Sequence, residues 1–262
     1  MASSWRRPQH VTSATRMRWT RLAPLSAMLF SATLSAAALF PATLLAQTAS
    51  RVAPAVLPAT AVSQLERSLK AAEPHARHVW RDTPPVNSDG TVNAYVEISR
   101  GDRRKWEFDI GANARAIDRM MPEALGGYPV NYGYVPQTIS YDGDPFDVLV
   151  LGPALPGGTL VRGAIAGLLQ MEDEKGLDSK VIVTPLTPAG EPAYALTAAD
   201  QRRIADFFRR YKEHEPDAFS NVGGWGTAAD GRTFIAMTRA FFRECRSRAA
   251  QPCSVQLPRS TK

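Results

Sequence analysis

The sequence predicts an α+β domain in which a small antiparallel β-barrel or sheet has helices packed on it. Strand-like segments come first: residues 92–99 alternate between apolar and polar side chains, and the largely apolar stretches 160–171 and 180–185 are strand-forming. Helical spacing follows, with apolar residues about one turn apart in 204–211 and again in 227–248. Strands followed by helices, rather than alternating with them, are typical of α+β domains.

Local sequence patterns predict a flexible segment and a helix near residue 60, and the start of a later helix near residue 197. Residues 47–62 are rich in Ala, Pro, Val and Thr, which predicts a flexible leading segment, whereas 63–72 have helical spacing. Further along, Thr197 is followed three residues later by Asp200. This pattern resembles a capping box, with Asp in the acid position, and predicts that a helix begins there.

The first strand has a candidate partner close by. Residues 105–109 alternate as 92–99 do, and Gly101 and Asp102 between them are turn-forming. The two segments are therefore expected to form a β-hairpin. Residues 118–121 would then open the next strand.

Residues 1–46 have the layout of a secretory signal peptide. Five arginines precede a long apolar stretch, 22–45, which ends in small and apolar residues, and the first acidic residue of the chain is Glu66. The sequence therefore predicts export to the periplasm or the medium, without stable membrane association after cleavage. A retained membrane anchor is the alternative, because 24 residues are enough to span a bilayer.

Removing the leader changes what the charge implies. The chain has 31 Lys and Arg against 25 Asp and Glu, and the leader removes five arginines and no acids, which leaves 26 against 25. A nearly neutral mature protein does not support binding to nucleic acid. Its two cysteines, Cys245 and Cys253, are close enough in sequence to clamp the tail with a disulfide in an exported protein, although two free thiols remain the alternative.

The chemistry is expected around residues 128–147. This stretch holds Asp142, Asp144 and Asp147 within six residues, just before the apolar run 148–151, which predicts a buried strand. Carboxylates this close repel one another unless a cation lies among them, and Mg²⁺ or Mn²⁺ is the usual partner of oxygen ligands. A solvated acidic turn is the alternative, since Asp, Gly and Pro are common turn residues.

Other charged residues lie on predicted strands or beside turns, and a small barrel could bring them into one cavity. The acids are Glu97, Glu107, Asp142, Asp144, Asp147, Asp173 and Asp178, and the bases are Lys105, Arg119, Lys180 and Lys212. Acids that hold cations beside bases that hold an anion would suit a phosphoryl compound and its metal-assisted hydrolysis by water.

The order of these motifs resembles the family I soluble inorganic pyrophosphatases over roughly residues 85–245. The resemblance is carried by the following segments: YPVNYGY (128–134), DGDPFD (142–147), KWEFD (105–109), MEDEKGLDSK (171–180) and residues 207–212. It implies a five-stranded OB-like β-barrel with helices on the outside, and in bacterial members a homo-oligomer, commonly a hexamer. The implied domains are 1–46, the signal peptide; 47–84, a partly flexible N-terminal extension; 85–248, the pyrophosphatase domain; and 249–262, a C-terminal tail.

The resemblance also implies a role for each candidate site residue. Pyrophosphate would be hydrolysed to two phosphates by a multi-metal mechanism, with several Mg²⁺ ions (Mn²⁺ is possible) and a metal-bridged water as the nucleophile. Asp144 would be the catalytic residue that helps to deprotonate this water. The metal ligands would be Asp142, Asp147, Asp178, Asp173, Glu107 and Glu97. The substrate would be held by Lys105, Arg119, Tyr132, Lys180, Tyr211 and Lys212.

Two features depart from the family pattern. Ala218 falls where family members usually place a second phosphate-binding lysine, and the family is mostly cytoplasmic, whereas residues 1–46 of this chain predict export. Two alternative functions follow from them. One is hydrolysis of another small phosphoanhydride, and the other is non-catalytic binding of phosphate or metal.

Overall fold

The computed structural model describes residues 55–246 and 251–257, so the predicted signal peptide and the flexible segment as far as residue 54 lie outside it. The strands are β1 Ala55–Leu57, β2 Val92–Ile98, β3 Arg104–Asp109, β4 Ala114–Met120, β5 Asn131–Tyr134, β6 Asp147–Val150, β7 Leu160–Asp173, β8 Gly176–Leu177, β9 Lys180–Pro185, β10 Ser220–Gly226 and β11 Cys253–Val255. The helices are α1 Ala59–Ala72, α2 Val79–Asp82, α3 Ala198–Arg209 and α4 Ala228–Glu244, with a short 3₁₀ turn at Glu123–Leu125.

The fold is a mixed α+β fold organised around the long strand β7. Successive parts of β7 pair antiparallel with β2, β9 and β10. Strand β2 also pairs with β5, β5 with β6, and β6 runs parallel to β9. The pairings β7–β2–β5–β6–β9 therefore return to β7, and the charged side chains of several strands meet at one end of this arrangement.

The predicted hairpin between β2 and β3 is wrong. Strand β3 pairs instead with β4, so residues 118–120 end a strand rather than open one. The reason lies in β2, whose two edges are already taken by β5 and β7. Gly101, with a φ of +86°, turns the chain away from β2, and the β3–β4 ribbon stands as a separate two-stranded sheet beside the main one.

Both later helices begin at capping boxes. At α3 the predicted box is confirmed: Thr197 accepts a hydrogen bond from the Asp200 backbone, and Asp200 accepts one from the Thr197 backbone. Thr227 and Asp230 form the same reciprocal pair at the start of α4. Such a pair satisfies backbone donors that the first helical turn leaves open, which is why the two helices begin where they do.

Residues 55–62 of the leading segment are ordered, so the expectation of flexibility is wrong for them. Strand β1 pairs with β11, and α1 begins four residues before the predicted start at residue 63. Leu57, Val62 and Leu65 are fully buried in one apolar cluster with side chains of α4. Burial of this amphipathic face, which the Ala- and Pro-rich composition conceals, stabilises the segment.

The predicted tail clamp is confirmed. Cys245, at the end of α4, forms a disulfide with Cys253, at the start of β11. Within the described residues, no helix is both long and apolar enough to cross a membrane.

Candidate active site

The charged residues that the sequence picks out line one cavity of about 200 Å³. Its acidic lining consists of Glu97, Glu107, Asp142, Asp144, Asp147, Asp173 and Asp178. Its basic and tyrosine lining consists of Lys105, Lys175, Lys180, Lys212, Tyr132, Tyr134 and Tyr211. Larger clefts lie elsewhere: two of about 640 and 520 Å³ beside α3, and one of about 290 Å³ beside β7 and β10. We identify the smaller cavity as the candidate active site because the carboxylate set that needs a cation lies there.

Strand ends supply several of the charged residues of this lining. Asp147 begins β6, Asp173 ends β7 and Lys180 begins β9, while Glu97 is near the end of β2. Since β2, β6, β7 and β9 belong to one sheet, residues far apart in sequence meet at one end of it. The predicted acidic loop after β7 is a tight hairpin in which β7 pairs with β8.

Lysines hold the carboxylates in pairs. Lys180, 3% exposed, is hydrogen-bonded to Asp147 and, at 2.8 Å, to Asp178. Lys212 Nζ lies 2.7 Å from both Asp173 and Glu174. These pairs place positive charge where the buried carboxylates would otherwise repel one another.

A second group of ion pairs lies on the β3–β4 ribbon. Lys105 Nζ is 2.6 Å from Glu107 and 3.1 Å from Asp118. Arg119, the cross-strand neighbour of Lys105, is 2.9 Å from Asp118 and also pairs with Glu215. Arg119 is the one predicted substrate-binding residue that is not part of the cavity lining in the described structure, and it lies beside the cavity through its neighbour Lys105.

The environment raises the pKa of several carboxyl groups. Burial, followed by repulsion from Asp147, raises the pKa of Glu97 well above its usual value, although the Phe108 backbone N–H donates to this carboxylate at 2.7 Å. Burial also raises the pKa of Asp178 to about 7, although Lys180 is beside it. Carboxyl groups with raised pKa values favour a bound cation, because a cation stabilises the charged form.

Asp142 and Asp144 share this behaviour at the cavity mouth. Burial of the carboxyl group, together with the neighbouring Asp142, raises the pKa of Asp144 to about 7, and burial raises that of Asp142. Both residues as a whole remain open to solvent, so water screens part of the repulsion between them. The backbone N–H of Asp144 donates to Asp142 Oδ1 at 3.1 Å, which fixes the turn between them.

Tyrosines form the neutral part of the wall. The hydroxyls of Tyr128 and Tyr211 are 2.8 Å apart, and Tyr132 packs against the ring of Tyr128. In the described part of the chain the buried Tyr134 hydroxyl has no hydrogen-bond partner, and it belongs to a residue that lines the cavity. Such a group is available to a ligand, since a buried hydroxyl is costly to leave unpaired.

The lining fits Mg²⁺ or Mn²⁺ by its chemistry. Its potential ligands are carboxylate oxygens, which hard divalent cations prefer, and several of them have raised pKa values. Among residues 55–246 and 251–257, no three Asp, Glu, His or Cys side chains are gathered closely enough to form a ready-made metal site. Lys180 accounts for part of this, because its ammonium lies between Asp147 and Asp178.

Sequence reasoning missed several groups at the site. Glu174 pairs with Lys212, Asp118 pairs with Lys105, and Tyr134 and Lys175 line the cavity. Lys175 and Glu174 lie within the MEDEKGLDSK segment, so their position beside Asp173 was the available signal. Lys175 is unlike the other lysines of the lining, because its ammonium forms no ion pair with any described residue.

Comparisons with known proteins agree on one family. The family model described as inorganic pyrophosphatase matches residues 94–243. The chain is 35% identical over 160 residues to the inorganic pyrophosphatase of Saccharolobus solfataricus, which covers 58% of this chain and 92% of the relative. It is 35% identical over 164 residues to that of Gluconobacter oxydans, covering 60% and 94%. The solved structure of an inorganic pyrophosphatase from Coxiella burnetii superposes with a TM-score of 0.57 at 34% identity, covering 62% of this chain and 100% of that one.

Proposed function

The chain belongs to the inorganic pyrophosphatase family and hydrolyses inorganic pyrophosphate, and we propose that it does so in the cavity described above with bound Mg²⁺. The observation that carries this proposal is the meeting of carboxylates and lysines in one lining. Acids alone would suit a cation and bases alone an anion. Their combination suits a heavily charged anion that enters together with cations.

The predicted metal ligands Asp142, Asp147 and Asp178 would hold the tightest ion, with Asp147 shared by a second. Asp173, Glu107 and Glu97 would hold or support further ions. When bound, these ions would neutralise the negative charge of pyrophosphate and lower the pKa of water. Mn²⁺ has the same ligand preference and is the second candidate metal.

The substrate would lie against the lysines and tyrosines of the lining. Lys105 and Lys212 line the cavity and Arg119 lies beside it, so positive charge comes both from the β3–β4 ribbon and from the segment after α3. The hydroxyls of Tyr132 and Tyr211 would donate to phosphate oxygens without adding charge. Lys180, now held by two carboxylates, would stabilise the negative charge of the departing phosphate.

Asp144 would act as the base. Its carboxylate lies at the cavity mouth beside the predicted metal ligand Asp142, and its pKa of about 7 is matched to taking a proton from the attacking water near neutral pH.

The finer architecture and setting are also proposals. The cycle of strand pairings supports a five-stranded OB-like β-barrel with α3 and α4 on its outside. The Cys245–Cys253 disulfide supports export, because disulfides persist in oxidising compartments such as the periplasm. A homo-oligomer, a hexamer by analogy with bacterial members, is the expected assembly, and light scattering on the mature protein would test it.

The test is phosphate release from pyrophosphate by the mature protein beginning at Gln47, with Mg²⁺ and with a chelator. We expect fast release that the chelator abolishes and that restored Mg²⁺ recovers. Tripolyphosphate assayed in parallel tests the substrate, because the less positive environment near Ala218 could favour another phosphoanhydride. Folded protein that binds pyrophosphate in calorimetry but releases no phosphate would contradict the proposed function.

A further inference from the structure

The loop that carries Asp142 and Asp144, residues 138–146, is held on one side by α4. The Ile139 backbone N–H donates to the Thr238 carbonyl at 3.2 Å. The Tyr141 hydroxyl reaches Met237 Sδ at 3.4 Å, and the Tyr141 ring packs edge-on against Phe241 with centroids 5.6 Å apart. Helix α4 therefore fixes the part of the loop that leads up to the two acids.

Helix α1 touches the same loop between the two acids. Gly143 has a φ of +91°, and a Cβ added there would lie 2.7 Å from Gln64 Cβ and 3.3 Å from Ala61 Cα. Contacts this close mean that α1 packs directly on the backbone that joins Asp142 to Asp144. A shift of α1 would therefore change the space available to that backbone.

The start of α1 and the end of α4 are tied together. Leu57, two residues before α1, lies opposite Cys253 in the β1–β11 pair. Cys253 is bonded to Cys245, which caps α4. Leu57, Cys245 and Cys253 are all buried in the apolar cluster that also contains Ala61 and Phe241.

We propose that β1, α1, β11 and the Cys245–Cys253 disulfide form a terminal clamp that positions Asp142 and Asp144 from outside the cavity. The inference rests on the proposed function, because it assigns these acids to metal binding and catalysis. All parts of the clamp lie outside residues 94–243, the range matched by the family model. The clamp is thus built from segments outside the part of the chain that the family model matches, and metal binding at the loop depends on the disulfide.

The first experiment compares the oxidised protein with protein whose disulfide has been reduced. It measures Mg²⁺ binding by calorimetry, the Mg²⁺ concentration that gives half-maximal activity, and kcat at saturating Mg²⁺. We expect reduction to weaken Mg²⁺ binding by at least about 3-fold. The effect should be smaller than the roughly 10–100-fold loss that is typical when a residue that directly orients a metal ligand is removed. At saturating Mg²⁺ kcat should stay nearly unchanged, because the metal then holds the loop itself.

The double variant Cys245→Ser/Cys253→Ser is the control for the reductant. It should bind Mg²⁺ like the reduced wild type and show no further response to reduction. Equal Mg²⁺ binding by oxidised and reduced wild type would overturn the proposal. A failure of the proposed function is distinguishable, because the oxidised wild type would then release no phosphate even at saturating Mg²⁺.

A second pair of variants tests the contact without touching the disulfide. Gln64→Gly removes the side chain that packs on Gly143, and Arg67→Gly places the same substitution at an exposed position in the middle of α1. Arg and Gln have similar helix propensities, and both variants lose the hydrogen bond between Arg67 and Gln64, so they weaken the helix comparably. Weaker Mg²⁺ binding in Gln64→Gly alone supports the clamp, whereas equal binding in both variants contradicts it.

Discussion

The cavity and the apolar cluster beneath the terminal clamp are built in opposite ways. Around the cavity, the buried groups include ionisable ones: Glu97 and Lys180 are 8% and 3% exposed. Beneath the clamp, the fully buried side chains of Trp80, Phe241 and Phe242 pack together, and the indole N–H of Trp80 donates to the Thr138 carbonyl at 3.0 Å. The cluster adjoins the loop that carries the acids, so the two regions share one wall.

The contrast separates stability from function. Burial of apolar side chains stabilises the fold, at about 25 cal/mol per Å² removed from water. Buried like charges destabilise it until a cation compensates for them. Replacing a carboxylate of the cavity by its neutral amide should therefore lower activity while preserving or even improving the stability of the metal-free protein. The following predictions test this separation.

The largest effect is expected for Asp144→Asn. Loss of a general base typically lowers kcat by about 10²–10⁴-fold, and the neutral amide should leave the metal-free fold at least as stable as the wild type. Steady-state kinetics check the predicted loss of kcat, and thermal unfolding without metal checks the predicted stability. Asp206→Asn makes the same chemical change at an exposed position of α3 and should keep wild-type activity. Near wild-type kcat in Asp144→Asn would remove Asp144 from the mechanism.

An intermediate effect concerns pH and stability. The pKa of Asp178 is raised to about 7 in the folded protein, so its contribution to stability is greatest below its unfolded value of about 4 and is lost as the pH rises through about 7. Without metal, the free energy of unfolding of the wild type, relative to Asp178→Asn, should fall by about 2–3 kcal/mol between pH 5 and pH 8. Added Mg²⁺ should abolish this fall in the wild type.

The comparison with Asp178→Asn matters because other groups titrate in the same range. Burial lowers the pKa of His78, so the unfolded protein binds the His78 proton more tightly than the folded protein does. The contribution of His78 to the free energy of unfolding therefore rises with pH, which opposes the effect of Asp178. This term is the same in both proteins and cancels in their difference. If urea unfolding gave parallel pH profiles for the two proteins, the surroundings of Asp178 would not disfavour its charged form, and the prediction would be wrong.

The smallest effect is expected for Lys175→Ala. Lys175 lines the cavity and forms no ion pair with a described residue, although its charge acts on Asp142 and Asp144 from a distance, so its ammonium is free to contact the anion. Its removal should raise the KM for pyrophosphate by about 2–5-fold with little change in kcat, since an exposed charge contributes roughly 1 kcal/mol or less. Lys70→Ala, on α1, is the matched control. An unchanged KM at low ionic strength would exclude Lys175 from substrate binding.

Much of the local structure could be predicted from the sequence. The capping box at Thr197, the strand from Lys180 to Pro185 and the disulfide between Cys245 and Cys253 depend on residues close together in the chain. The site acids could also be predicted as a set, because their motifs keep a recognisable order. The roles assigned to them individually remain predictions.

Long-range partners could not be predicted in the same way. The alternation in 105–109 indicates a strand but not its partner, and the partner is β4 because both edges of β2 are occupied. The Ala- and Pro-rich composition of 55–62 conceals a segment that is ordered only because β11 and α4 cover it. Lys175 became notable only when the other lysines of the cavity proved to be paired.

The sequence by itself determined the family, the α+β class, the starts of α3 and α4 and the acids and bases of the site, because each depends on residue type and local spacing. The tertiary structure alone decided which strands pair, which lysine neutralises which acid, and that the two ends of the described domain meet behind the loop of Asp142 and Asp144. The physical reason is that pairing, burial and charge compensation depend on which distant segments exclude water together.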